Sequence, residues 1–212
     1  YYEQTEREAP DYRLFKVTKG LAAGFGDQAQ EAGARRIAFE STHMTYALHE
    51  ELATVEGVEL VPIKGWVEEL RAVKSPEELV LIRRAVAYSD AAIASLPEIL
   101  RPGMTERELA WEIEAFMHAR GADDIAFSLI VAGGPNAAMP HATASERAIR
   151  AGEPVVLDIG AVVAGYHSDM TRTVSVGRTP KRLAKIHEIV LLAQQVAEAI
   201  LQPGMTGREA DQ

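Results

Sequence analysis

A chain of 212 residues, against a norm of about 150 per domain, suits one large domain or one and a fraction, with enough length for a sizeable core. It is 47% apolar and 25% charged, and no apolar run reaches the roughly 20 residues that cross a bilayer, which excludes a transmembrane protein. A net charge of −9 argues against a basic nucleic-acid surface, and the absence of cysteine leaves Asp, Glu and six histidines as the only metal ligands.

The chain opens at Tyr1 without Met or a signal-peptide pattern and stops at Gln212 just after a helix-start signal. Both ends read as cut from something longer, and a cytoplasmic location is expected. The first seventy or so residues predict an αβ segment. Residues 13–18 (RLFKVT) are strand-like, and residues 35–40 form a short apolar run after Gly33. Met44, Ala47, Leu48 and Leu52 recur at helical spacing until Gly57 stops the pattern. Residues 58–63 return to strand character, with Pro62 marking an edge or an end. Residues 66–73 predict a short amphipathic helix, broken by Lys74-Ser75-Pro76. A domain boundary is expected there, dividing 1–72 from 73–212.

Three downstream helix starts fit the capping box, in which a hydroxyl and a glutamate three residues later satisfy each other's amides. They begin at Ser75, Thr105 and Thr206. The helix from Pro76 places Leu79, Ile82, Val86 and Ile93 on one stripe. The helix from Glu106 places Leu109, Ile113, Phe116 and Met117 likewise and ends near Gly121; Trp111 is also assigned to the core. A third long helix is expected over 182–201. Leu100-Arg-Pro-Gly-Met-Thr105 recurs as Leu201-Gln-Pro-Gly-Met-Thr206, an offset of 101 residues, which suggests a duplicated unit whose second copy has hardly begun. Between the copies lie an apolar run at 125–132, a loop at 133–145, and two strands at 153–163 and 166–176 around Gly165. The fold class is α+β with a mainly antiparallel sheet.

Asp158 and Asp169 interrupt the last two strands, where aspartate is a poor local choice. A hairpin with a four-residue loop at 162–165 would set them directly opposite on one face. Opposed Cβ atoms lie about 4.5–5.5 Å apart, so the like charges repel unless a cation sits between them. The arrangement also suits two metal ions about 3.5–4 Å apart. Thr171 and Thr173 share that face and would orient the oxygens of Asp169. The plainer reading pairs each aspartate with Arg172 or Arg147, or leaves it exposed at a strand end. Two aspartates in register favour metal.

His141 sits on the Gly- and Pro-rich loop. Alone it would be a solvated imidazole; beside a carboxylate site it becomes a proton donor or substrate hydrogen-bond partner. Gly24-Phe-Gly26-Asp-Gln-Ala29 formally matches the dinucleotide fingerprint, but residues 19–23 separate it from the preceding strand and the tight turn is missing. His43 and His118 read as helix residues rather than ligands, and His167 is left outside the ligand set.

Asp158-Ile-Gly160, Ser168-Asp169-Met-Thr171-Arg-Thr173, the Pro-His141-Ala loop and the repeated Pro-Gly-Met-Thr starts together resemble the first half of a pita-bread metallopeptidase. Within that group the chain is most similar to Xaa-Pro dipeptidases (prolidases) and Xaa-Pro aminopeptidases. The likeness runs from about Ser75 to the end, with residues 1–72 resembling the later part of a creatinase-type N-terminal domain. The resemblance implies an exopeptidase that cleaves the bond before proline in short peptides, through a hydroxide held by two divalent ions, manganese or cobalt and sometimes zinc. It implies Asp158 and Asp169 as metal ligands and His141 as the group that meets the substrate or the tetrahedral intermediate. It also implies a homodimer as a common state, while the charge and the lack of a long apolar run leave neither nucleic acid nor membrane as an expected partner. A histidine and two glutamates that complete the family's site would come later, so these residues alone are expected to be inactive. A methionine aminopeptidase-type enzyme is the same-fold alternative, disfavoured by the N-terminal segment; a creatine hydrolase is disfavoured by the two aspartates. A non-catalytic pita-bread binding module and a purely structural domain are the remaining alternatives.

Overall fold

Residues 2–18 and 20–211 are described by the structure, a computed structural model, and the chain divides into two units between Lys74 and Ser75. The first unit runs α1 (Tyr2–Glu8), α2 (Leu21–Glu31), β1 (Arg36–Glu40), α3 (Tyr46–Leu52), β2 (Glu59–Ile63) and α4 (Trp66–Ala72). β1 and β2 pair in parallel with Ile37 opposite Leu60, a topology that requires the crossover supplied by α3. The Thr45 hydroxyl caps that helix, accepting from Leu48 N at 3.3 Å. Residues 13–18 form no strand: they have no ladder partner among the described residues, and an extended segment without one has no reason to persist. Arg13 instead pairs with Glu31 of α2 and stacks over Phe15. Gly24 and Gly26 lie inside α2, where a Cβ at Gly24 would stand 2.8 Å from Val17 Cγ2; these glycines let chain pack on chain and form no phosphate loop.

The second unit begins with α5 (Pro76–Ala94), α6 (Leu96–Ile99) and α7 (Glu106–Ala119). The capping boxes at Ser75 and Thr105 close as expected, and Thr206 and Glu209 exchange the same pair of bonds. Strands β3 (Asp124–Ile125), β4 (Ile130–Gly133), β5 (Pro154–Ile159), β6 (Ala161–Val163), β7 (Tyr166–His167) and β8 (Met170–Ser175) follow, then α8 (Lys181–Ile200) and α9 (Gly207–Asp211). Every strand pair in this unit is antiparallel, in two three-stranded sheets ordered β3-β6-β7 and β4-β5-β8. Leu109, Ile113 and Met117 of α7 are fully buried against Val131, Val155, Leu157 and Ile159. Trp111 is 65% exposed on the other side of that helix, outside the core expected of it.

The stripe on α5 is rotated from the expected one. Ala85, Ser89 and Ala92 are buried while Leu79 and Val86 stand exposed, because small side chains let this helix approach β6 and β7 closely. No α8 side chain is buried among the described residues; Ile189 and Leu192 are more than half exposed.

The hairpin departs from expectation in its register. Its turn is two residues, Ala164 (φ 49°) and Gly165 (φ 80°), between the paired Val163 and Tyr166. This left-handed pair matches strand twist, and Asp123 Oδ2 holds the turn by accepting from Ala164 N at 2.6 Å. The pairing therefore shifts by two residues, so that Asp158 faces Thr171.

Between Ile159 and Ala161 the ladder breaks and one sheet gives way to the other. Ala161 N donates to the Ser168 hydroxyl at 2.9 Å, replacing a backbone bond, and Ser89 Oγ meets the same hydroxyl at 2.8 Å. A Cβ at Gly160 would overlap the Ser168 carbonyl oxygen and stand 2.8 Å from Ala126 Cβ and 2.9 Å from Phe127 Cε1. Gly160→Ala is expected to destabilise this unit by about 3 kcal/mol, since backbone cannot move aside as a side chain does. Amide exchange at Val155, Leu157 and Ile159 measures it, and wild-type protection in the variant would contradict it.

Candidate metal centre

Alternation along β5 sends Val155, Leu157 and Ile159 into the core and Val156 and Asp158 to the opposite face. Asp158 is half-buried there, flanked by Ile130 on β4 and Thr171 on β8. Thr171 Oγ1 donates to Asp158 Oδ1 at 2.7 Å. Asp169 is exposed in the break between β7 and β8, two residues before Thr171. It is thus a diagonal neighbour of Asp158 rather than its direct opposite, and in a regular ladder such neighbours lie about 7–8 Å apart. The turn is the physical reason: two residues at 164–165 suffice where four were expected. Thr171 accordingly orients Asp158, not Asp169, while Thr173 shares the face without facing either aspartate directly.

The expected alternative partners are engaged elsewhere. Arg147 pairs with Glu153 at 2.6 Å, and Arg172 donates to the Thr171 carbonyl at 2.8 Å. Among the described residues neither aspartate takes part in an ion pair. Two carboxylates without a cationic side chain are hard oxygen donors suited to a divalent cation. They are a fraction of a coordination shell: among the described residues no three of His, Asp and Glu come together as a metal-holding group.

His141 is brought in by a different element. A short 3₁₀ turn (Gly134–Ala138) follows β4, and the exposed imidazole comes three residues later. Gly133 at the loop's root faces Val155, three residues along β5 from Asp158, or about 10 Å at strand spacing. The structure thus places Asp158 on the outer face of β5, Asp169 in the break that leads into the neighbouring β8, and His141 on a separate loop rooted in the same sheet.

The residue that sequence reasoning missed is Glu106, the first residue of α7. It is fully buried, and its carboxylate accepts from Gly133 N at 2.7 Å, Asn136 Nδ2 at 2.9 Å, Ser145 N at 3.1 Å and Ser145 Oγ at 2.6 Å. The available signal was a second acid beside the capping Glu108, easily read as a favourable charge at a helix start. Beside it the Arg147–Glu153 pair lies against Gly134 (φ 53°), where a Cβ would stand 2.6 Å from Arg147 Nη2 and 2.7 Å from Glu153 Oε1.

Burial by itself pushes the Glu106 carboxyl up, but the Ser145 hydroxyl, the Gly133 amide, Asn136 and the Ser145 amide together hold it below the ordinary carboxylate range. A lowered folded value contributes stability that is complete above the unfolded glutamate value near 4.3 and is lost as pH falls through the folded value. The Gly133 and Ser145 amides are therefore expected to stay protected down to about pH 4 and to loosen below it, relative to intrinsic exchange. Glu106→Gln, which cannot ionise, is expected to show weaker protection at pH 7 and no such acid limb. An equal acid limb in the variant would rule Glu106 out as its source.

Residues 80–212 match metallopeptidase family M24, and residues 1–73 match the creatinase/prolidase N-terminal domain. Over 212 residues the chain is 37% identical to the Bacillus subtilis protein named uncharacterized peptidase YqhT, covering 60% of it. It is also 37% identical to the Xaa-Pro dipeptidase of Pyrococcus furiosus over 169 residues, 79% of this chain and 49% of that protein. Among solved structures, the Xaa-Pro dipeptidase from Bacillus anthracis superposes with a TM-score of 0.92 at 36% identity, over 99% of this chain and 59% of that one. The X-Pro aminopeptidase from Thermotoga maritima gives 0.87 at 31% identity, over 98% and 60%. The chain thus spans between 49% and 60% of the length of these relatives. With both units matched, it belongs to metallopeptidase family M24, as a creatinase N-terminal domain followed by part of a pita-bread catalytic domain.

Proposed function

We propose that the full-length protein is a metal-dependent exopeptidase acting on the peptide bond before proline, as an Xaa-Pro dipeptidase or aminopeptidase, and that this chain supplies the first part of its site. The observation that carries the reading is the pair Asp158, on β5, and Asp169, in the break before β8, neither of which takes part in an ion pair among the described residues. Names of relatives from Pyrococcus furiosus and Bacillus anthracis support the substrate class, a short peptide with proline after the scissile bond.

Asp158 and Asp169 would contribute to holding two divalent ions, for which the family resemblance implies manganese or cobalt and sometimes zinc. When bound, such ions supply Lewis acidity and lower the pKa of a coordinated water. The chain's own contribution is positional. Thr171 fixes one oxygen of Asp158, and the other would be left for a metal ion. His141, exposed on its loop, donates a hydrogen bond to the oxygen of the scissile carbonyl as charge develops there.

The full-length protein is expected to hydrolyse Ala-Pro or a longer X-Pro peptide after addition of Mn²⁺. Asp169→Asn is expected to lower kcat/KM by at least about 100-fold and Thr171→Val to weaken metal binding about 10- to 100-fold. A dipeptide-against-tripeptide assay assigns the enzyme to one branch. Metal analysis of the full-length protein that finds no bound or restorable divalent ion would leave a non-catalytic module in place of the enzyme.

A further inference from the structure

Glutamate is seldom fully buried, and among the described residues every side-chain hydrogen bond of Glu106 goes to the segment between Gly133 and Ser145. Its two oxygens are divided between the loop's two ends. Oε1 takes the Gly133 amide, Oε2 takes the Ser145 amide and hydroxyl, and the Asn136 amide group reaches both. We propose that Glu106 is the positioning residue of the His141 loop, one carboxylate that closes residues 133–145 into a fixed shape and sets where the imidazole is presented.

The physical case rests on loop closure. Thirteen residues cost conformational entropy to close, and a charged acceptor bridging first and last residues offsets that cost with bonds stronger than neutral ones. The clamp is itself rigid. Leu109 and Ile113 anchor α7 in the core, and Glu106 N donates to the Arg147 carbonyl at 3.1 Å, just past the loop's end. Ser145 Oγ is fixed from its other side, accepting from Arg147 N at 3.2 Å. Residues 137–144 run between these fixed stems, with Ala142 buried, Ala144 packed against the core and His141 exposed near their middle. Glutamine at 106 would keep the shape but turn an N–H toward donors, so one stem loses its acceptor.

That the loop's shape matters for turnover rests on the exopeptidase reading of His141, so the test has two arms. In the full-length protein, Glu106→Gln is expected to speed amide exchange across 133–145 by about 10-fold or more, with Val155, Leu157 and Ile159 unchanged. In a double-mutant cycle on an X-Pro peptide it is expected to lower kcat/KM about 10- to 100-fold, and by less than about 3-fold when His141 is already Asn. Equal losses in both backgrounds, or unchanged loop exchange, overturn the proposal. Should Glu106→Gln fail to fold, Ser145→Ala, which removes only the hydroxyl donor at 2.6 Å, carries the same cycle. If the wild-type protein cleaves no X-Pro peptide, the exopeptidase reading falls by itself. Faster exchange confined to the loop then still upholds the clamp, and unchanged exchange still refutes it.

Discussion

Everything on the acidic face depends on one close approach of backbone to backbone. The Ser168 carbonyl lies where a side chain at 160 would have to be, and glycine alone permits it. The long hairpin can then break there and continue in a second sheet, with the Ser168 hydroxyl taking over the bond that the ladder drops. Asp158 stands one residue before the end of one strand and Asp169 stands in the gap of the other, so the break decides where both carboxylates lie. Ser89, buried on α5, reaches the same hydroxyl and ties the bend to a helix whose cap is fixed at Ser75.

Charge is handled in opposite ways on the two sides of this unit. Glu106 is buried and satisfied by hydrogen bonds, while Arg147 and Glu153 satisfy one another. Asp158 and Asp169 are left with fewer partners on a face open to solvent. A carboxylate that is fully bonded organises structure; one that is not remains available to a ligand.

Much of this was legible in local chemistry. The capping boxes at Ser75, Thr105 and Thr206 form, because both of their bonds lie within four residues. The core stripe of α7 follows from periodicity, since Leu109, Ile113 and Met117 bury long side chains. What depended on partners far along the chain was less legible. Residues 13–18 carry strand-like residues but find no ladder, and α5 packs through small residues that carry little hydrophobic signal. The pair Asp158 and Asp169 was visible as two acids in apolar strands, yet their register turned on a two-residue turn with alanine in a left-handed conformation. Such an alanine carries no turn signature of its own. Glu106 was hidden for a related reason: its partners lie 27 to 39 residues away.

The repeated Pro-Gly-Met-Thr start separates two kinds of information written in the same short motif. At the offset of 101 residues Thr206 and Glu209 stand for Thr105 and Glu108, and the cap is rebuilt bond for bond. Gly207, however, stands where Glu106 stands. The two copies therefore share the instruction to begin a helix and differ in the instruction to hold a loop. Where the copies agree they open a helix, and where Gly207 replaces Glu106 the second start lacks the carboxylate that reaches across to Gly133 and Ser145.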